Sequence, residues 1–182
     1  EDLAIMRAIP GMKVFQPCDA AETKAIIKGI AEIDGPCYVR LGRGGVEDVF
    51  DENYKFEMGK GVVLKKGSKA ALIATGMMVQ EALKASEELS KEGIEPTVVN
   101  IHTIKPIDEE LIEELAKSHE VLITCEEHNV VGGLGSAVAE VVVKKAPVKM
   151  AMVGVQDTFG ESGTPKALCE KYGLDAAAIV KK

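Results

Sequence analysis

Two arginines carry the clearest chemical potential in this chain. Arg40 and Arg43 flank the end of a β-prone run, Cys37 to Leu41, and Gly42, Gly44 and Gly45 surround the second of them. A guanidinium is a permanently charged planar fork that matches phosphate oxygens, and residues without a Cβ let backbone approach a ligand closely. The pattern suits a phosphorylated substrate, and equally an exposed ion pair.

A second group lies downstream. Glu126, Glu127 and His128 resemble an acid/base cluster at the C-terminal end of a strand expected to finish near Cys125, the edge where α/β sheets place ligands. The same triplet at a strand-to-helix junction can instead cap a helix or pair across an interface, and no second constellation joins it. Gly132, Gly133, Gly135 and Ser136 follow, opening a helical run from Ala137 to Val143. Helix N-terminal amides at such a turn can hold an anion, and the turn can also serve packing alone. Val138 stands where a dinucleotide fingerprint needs its third glycine, and no G-K-[ST] ending occurs.

His102 and His119 have no ligand-spaced partners, so a metal site is not expected. Cys18, Cys37, Cys125 and Cys169 form no C-x-x-C pair and suggest reduced thiols in a cytoplasmic protein. No G-x-S-x-G elbow is present.

The elements that must position these residues alternate. Short apolar runs at Val14-Phe15, Cys37–Leu41, Val62–Leu64, Ala71–Ala74, Thr97–Ile101, Val121–Cys125 and Met150–Val155 are separated by amphipathic stretches, the signature of βαβ units. Helices are predicted over Ala20–Ala31, over Met78–Lys91 with Gly93 as its stop, and from an Asp108 cap into Leu111, Ile112 and Leu115. Between Gly42 and Met58 the periodicity dissolves. The expected organisation is a fragment of one α/β domain over 1–43, a linker over 44–57, and a three-layer α/β/α domain over 58–182 with a mostly parallel sheet of about five strands. The fragment, with two strands and one helix, would need a partner segment to fold stably.

Composition excludes several classes. The 182 residues are 46% hydrophobic and 28% charged with a formal charge of −7, which argues against a nucleic-acid binder dependent on a basic stripe. No apolar run approaches the roughly 20 residues that span a bilayer. The chain opens on Glu1 instead of Met, which suggests that it begins inside a longer product.

Taken in order, several phrases resemble one family. They are Glu1-Asp2-Leu3-Ala4, Ile9-Pro10-Gly11-Met12, Pro17-Cys18-Asp19-Ala20-Ala21-Glu22, Gly35 to Arg43, Ala74-Thr75-Gly76, Thr103 to Asp108, Glu126-Glu127-His128, Gly132 to Ser136, Phe159 to Gly163 and Tyr172-Gly173-Leu174. They resemble the end of the pyrimidine-binding domain and the C-terminal domain of a transketolase, of the kind encoded as separate N- and C-terminal sections. His128 and Glu161-Ser162-Gly163 favour transketolase over deoxyxylulose-phosphate synthases, which typically carry Asn and His-Gly-Ser there; a section of such a synthase, or of an E1 β-type subunit of a 2-oxoacid dehydrogenase, which matches less well, is the alternative within the group.

The resemblance implies transfer of a two-carbon ketol unit between sugar phosphates, with thiamine diphosphate and Mg²⁺ in the complete enzyme and none held by this chain alone. It implies an N-terminal section as partner, a homodimer of the complete enzyme, and an inactive isolated chain. Arg43 matches the family arginine that binds the substrate phosphate, although Gly42 replaces the usual serine. Arg40 has a less certain counterpart, with an ion pair as its expected role. Cofactor ligands and catalytic groups of the family lie upstream of the phrase at Glu1. A non-catalytic regulatory or dimerisation module, with the Gly132 to Ser136 turn binding an anion or a partner, is the competing reading from a different class.

Overall fold

Residues 1–182 are described by a computed structural model. The first stretch forms α1 (Asp2–Ala8), β1 (Lys13–Phe15), α2 (Ala20–Ile30) and β2 (Cys37–Val39). Gly11, at φ 73°, turns the chain from α1 into β1. Asp19 starts α2 by accepting the Glu22 amide, satisfying one of the N–H groups that a helix start leaves without a partner. The sequence pattern missed α1, whose seven residues bury only Leu3 and therefore show little periodicity.

From Arg40 to Gly61 there is no helix or strand. The main sheet follows, built of β3 (Val62–Lys65), β4 (Ala70–Ala74), β5 (Thr97–Asn100), β7 (Val121–Asn129) and β8 (Lys149–Val155), in the order β3-β5-β4-β7-β8. All its pairings are parallel except that of β3 with β5. A further strand, β6 (Thr103–Lys105), leaves this sheet and pairs antiparallel with β1, giving a second sheet in the order β2-β1-β6. The first forty residues thus find a partner segment within the same chain.

Helices cover both faces of the main sheet because its strands alternate. Leu72 and Ala74 of β4 join Val98, Ile123 and Val153 in one core with Met78, Val79, Ala82 and Ala85 of α3 (Met78–Lys91). That core also holds Ile179 of α7 (Ala176–Val180) and is flanked by Cys169 and Tyr172 of α6 (Pro165–Tyr172). Ala71 and Ile73 instead join Ile112 and Leu115 of α4 (Glu109–Ser118) and Val138 and Val141 of α5 (Leu134–Lys145). The result is a mixed α/β fold in three layers. No helix is long and apolar enough to cross a membrane.

Two boundaries differ from the pattern-based expectation. Strand β7 runs on to Asn129, because its register against β8 shifts between Cys125 and Asn129 and lets pairing resume at Asn129 and Val155. Glu126, Glu127 and His128 therefore lie in the strand itself. Helix α5 begins at Leu134, three residues before the expected start at Ala137.

Candidate functional site

The C-terminal ends of strands from both sheets meet at one cleft of about 1100 Å³. Gln16 follows β1, Arg40 follows β2, Gly76 lies just beyond β4, His128 is the penultimate residue of β7 and Val155 ends β8, and all five line it. In the main sheet β4 is the switch point, flanked by β5 on one side and β7 on the other, where open parallel sheets bind ligands. Gly76, at φ 57°, makes the turn there, and a Cβ on it would collide with the Gln16 amide. The positive φ favours glycine here, and the absent Cβ leaves room for the Gln16 side chain.

The structure separates the two arginines. Arg40 is committed within the protein: its Nε lies 3.1 Å from Asp2 Oδ2 and its Nη1 lies 3.3 Å from Glu127 Oε2. Asp2 also accepts the Tyr38 hydroxyl at 2.8 Å. Burial opposes the charge on Asp2, but Tyr38 and Arg40 outweigh it and hold its carboxyl below the usual carboxylate range. Arg40 thereby ties the first unit to the end of β7. Arg43 is exposed on the cleft wall, outside the ion pairs that Arg40 makes.

The segment after Arg43 is irregular but pinned. Gln80 of α3 donates to the carbonyls of Cys18 and Glu47, both at 2.8 Å. Asp19 accepts the amides of Val49 and Phe50 at 2.8 and 2.7 Å. Glu22, fully buried, accepts the Cys18 amide, the Tyr54 hydroxyl and the Asn100 side-chain amide at 2.8–2.9 Å. Burial raises the Glu22 pKa, while these donors oppose the rise. Phe56 closes the strap edge-on against Phe15, with centroids 5.9 Å apart. Residues of α2, α3 and β5 thus fix the segment that carries Arg43. Asp19 and Glu22 have the spacing of a capping box, and both fall in one of the phrases that carry the family resemblance.

The glycine turn is occupied by the chain itself. The amides of Leu134 and Gly135, at the start of α5, donate to Glu126 Oε2 and Oε1 at 2.7 and 2.8 Å. The expected anion at this turn is therefore the carboxylate of Glu126, which leaves those amides no capacity for an external one. Burial pushes the Glu126 pKa up to about 7 against the pull of those two amides. Gly132, at φ 80°, donates its amide to Ser136 Oγ and accepts Arg7 through its carbonyl. No three His, Cys, Asp or Glu side chains come together as a metal site.

His128 is held apart from this cap. Its Nδ1 lies 2.6 Å from the Asn129 carbonyl and 3.7 Å from Glu126 Oε2. A carbonyl only accepts, so Nδ1 carries the proton and Nε2 presents a lone pair. Burial lowers the His128 pKa and favours that neutral form. Gln16 on the opposite wall carries no motif, and sequence reasoning missed it.

Comparison with known proteins agrees with this architecture. Residues 1–47 match the transketolase pyrimidine binding domain, and residues 59–179 match the transketolase C-terminal domain. A 6-deoxy-6-sulfo-D-fructose transketolase subunit from Clostridium sp. is 45% identical over 181 residues, covering 100% of this chain and 56% of that protein. A 1-deoxy-D-xylulose-5-phosphate synthase from Pseudomonas paraeruginosa is 39% identical over 183 residues, covering 99% of this chain and 28% of that enzyme. Among solved structures, a split-gene transketolase described as an inactive β4 tetramer superimposes with a TM-score of 0.97 at 52% identity, over 100% of this chain and 59% of its own. The chain thus spans little more than half the length of the split-subunit relatives it matches. With a pyrimidine-domain end, a C-terminal domain and a cleft between them, this chain belongs to the transketolase family as a C-terminal section.

Proposed function

We propose that the chain acts as one section of a thiamine-diphosphate-dependent, cytoplasmic transketolase, in which Arg43 holds the anionic end of a sugar-phosphate substrate. The supporting observation is the charge arrangement of the cleft. Arg40 is matched by Asp2 and Glu127, and Glu161 by Lys171, so the exposed guanidinium of Arg43 is left for a ligand. Its segment is fixed by Gln80, Asp19 and Glu22, which suits orientation of a substrate.

The family resemblance assigns the ligands of the cofactor and of Mg²⁺ to residues upstream of Glu1, and here the amides that open α5 are taken by Glu126. An N-terminal section would supply that site, and a homodimer of the joined sections follows from the family resemblance. We assign residues 1–43 to the pyrimidine-binding domain, 44–57 to the strap and 58–182 to the C-terminal domain.

Arg43→Ala tests the assignment in the assembled enzyme. The apparent KM for phosphorylated sugars should rise at least tenfold, the loss of one charge-assisted contact, with a much smaller change for unphosphorylated ones. Equal effects on both would remove Arg43 from the substrate site. A second reading concerns the anion: the Clostridium relative is named for a sulfo-sugar, and a guanidinium holds a sulfonate as it does a phosphate. A ketose bearing a sulfonate in the same assay distinguishes the two by its kcat/KM.

A further inference from the structure

Two residues that line the cleft each carry a polar atom without a hydrogen-bond partner in the folded chain; Asp2 Oδ1 lies 3.9 Å from one of these atoms, His128 Nε2, beyond hydrogen-bond reach. Gln16 is 3% exposed and its Oε1 is buried without a hydrogen bond; His128 is 3% exposed and its Nε2 is buried without one. Buried polar groups are satisfied in the great majority of proteins, and an orphan that lines a cavity is commonly completed by what the cavity binds. Both residues line the same cleft as Arg43, on opposite sheets.

The chemistry of the missing partner follows from the two atoms. Gln16 Oε1 is an amide oxygen and accepts only. The His128 ring is fixed by its Nδ1 contact of 2.6 Å to the Asn129 carbonyl, so its Nε2 accepts as well. A ligand that completes both must donate twice. The acids near them are already matched: Asp2 by Tyr38 and Arg40, Glu127 by Arg40. An ammonium group would therefore meet little free negative charge, whereas hydroxyl groups satisfy both acceptors without any charge.

We propose that Gln16 Oε1 and His128 Nε2 form a hydroxyl-reading pair in this cleft, accepting from the hydroxyl groups of a polyhydroxylated anion whose charged end is held by Arg43. The part played by Arg43 rests on the function proposed above; the hydroxyl pair stands on its own observations. The site selects sugar phosphates over equally charged phosphates without hydroxyls.

The test uses the full chain and three probes at millimolar concentration: ribose 5-phosphate, butyl phosphate and inorganic phosphate. Binding is followed by nuclear magnetic resonance, reading the His128 imidazole nitrogens and the Gln16 side-chain amide. Ribose 5-phosphate should bind about tenfold more tightly than butyl phosphate, the worth of two neutral hydrogen bonds. It alone should shift the Nε2 resonance in the direction of an accepted hydrogen bond.

Gln16→Met removes one acceptor at similar volume and should reduce the preference about threefold, leaving inorganic phosphate unaffected. His128→Phe should do the same; if that variant unfolds, the Nε2 shift in the unaltered chain carries the decision. Equal affinities for ribose 5-phosphate and butyl phosphate, an unmoved Nε2 resonance, or no saturable binding of ribose 5-phosphate would each overturn the proposal. Arg43→Ala separates the two assignments. Loss of affinity for all three probes supports both, while an unchanged affinity with the hydroxyl preference intact removes Arg43 and keeps the pair.

Discussion

Adding one methyl group at Gly133 should damage this protein far more than its backbone geometry suggests. Gly133 has φ −81°, outside the left-handed region that favours glycine. A Cβ at this position would, however, collide with Glu126 Oε2 and lie 2.8 Å from His128 Nδ1. Glu126 is fully buried and has no solvent to retreat into. Its displacement would strip the amides of Leu134 and Gly135 of their only side-chain acceptor.

Each orphaned buried N–H costs about 1–3 kcal/mol, so the pair costs about 2–6 kcal/mol. The lower chain entropy of the unfolded alanine variant offsets about 0.4–1 kcal/mol. Gly133→Ala should therefore lose roughly 2–5 kcal/mol in urea unfolding followed by circular dichroism, with an unchanged m value. Gly160→Ala is the control, since a Cβ there meets nothing within 4 Å, and should change stability by less than about 0.5 kcal/mol. Combined with Glu126→Ala, the Gly133→Ala loss should largely vanish, because the carboxylate that it displaces is gone. A loss below about 1 kcal/mol for Gly133→Ala, or full additivity in the double variant, would refute the carboxylate cap.

Two further outcomes follow from buried groups. The folded pKa of Glu126, pushed up to about 7, lies above its ordinary value of 4.5, so its contribution is fully present below about pH 4.5 and is lost as pH rises through 7. The component is on the order of 3 kcal/mol. Subtracting the Glu126→Gln stability curve from that of the unaltered chain between pH 4.5 and 7.5 should reveal it, and parallel curves would contradict it. Burial also raises the thiol pKa values of Cys18 and Cys125, with Glu22 and Glu126 respectively adding to the effect. Iodoacetamide should therefore label the half-buried Cys37 and, more slowly, Cys169, whose thiol pKa burial also raises, in the native chain and reach Cys18 and Cys125 only in denaturant, as peptide mass mapping would show.

The main sheet was legible because its signals are local. The apolar run Ala71–Ala74 and the apolar stripe of Met78–Lys91 are properties of consecutive residues, and both elements fall within a residue of where those signals place them. The Asp108 cap likewise depends on a short reach, to the amide of Leu111. What escaped depends on distant pairing. Strand β6 is three residues long and exists through its partner β1, while Glu126 leaves its expected junction because of a bulge against β8. The segment after Arg43 reads as a linker since its order comes from single hydrogen bonds to Gln80, Asp19 and Glu22, which leave no periodicity. Arg43 was marked by its residue type and glycine neighbours, and its exposure on the cleft wall is consistent with that signal. Gln16 had none: an isolated glutamine after a strand gains significance only when its surroundings leave it without a partner.

The pairing of β1 with β6 also sets an order of events during synthesis. Val14 pairs with Lys105 and Phe15 with Thr103, so the middle strand of the small sheet lacks one neighbour until roughly ninety more residues have been made. At about 5–20 residues per second that delay is on the order of ten seconds, long compared with helix or hairpin formation. Leu3 and Val14, which share a core with Ile104 and Ala137, lack those two contacts throughout it. A nascent chain halted inside the strap would hold β1 without β6, and partly covered apolar surface of that kind is what chaperones capture. One edge of this small sheet is therefore closed from behind, by a strand that the ribosome delivers after three strands of the main sheet have already emerged.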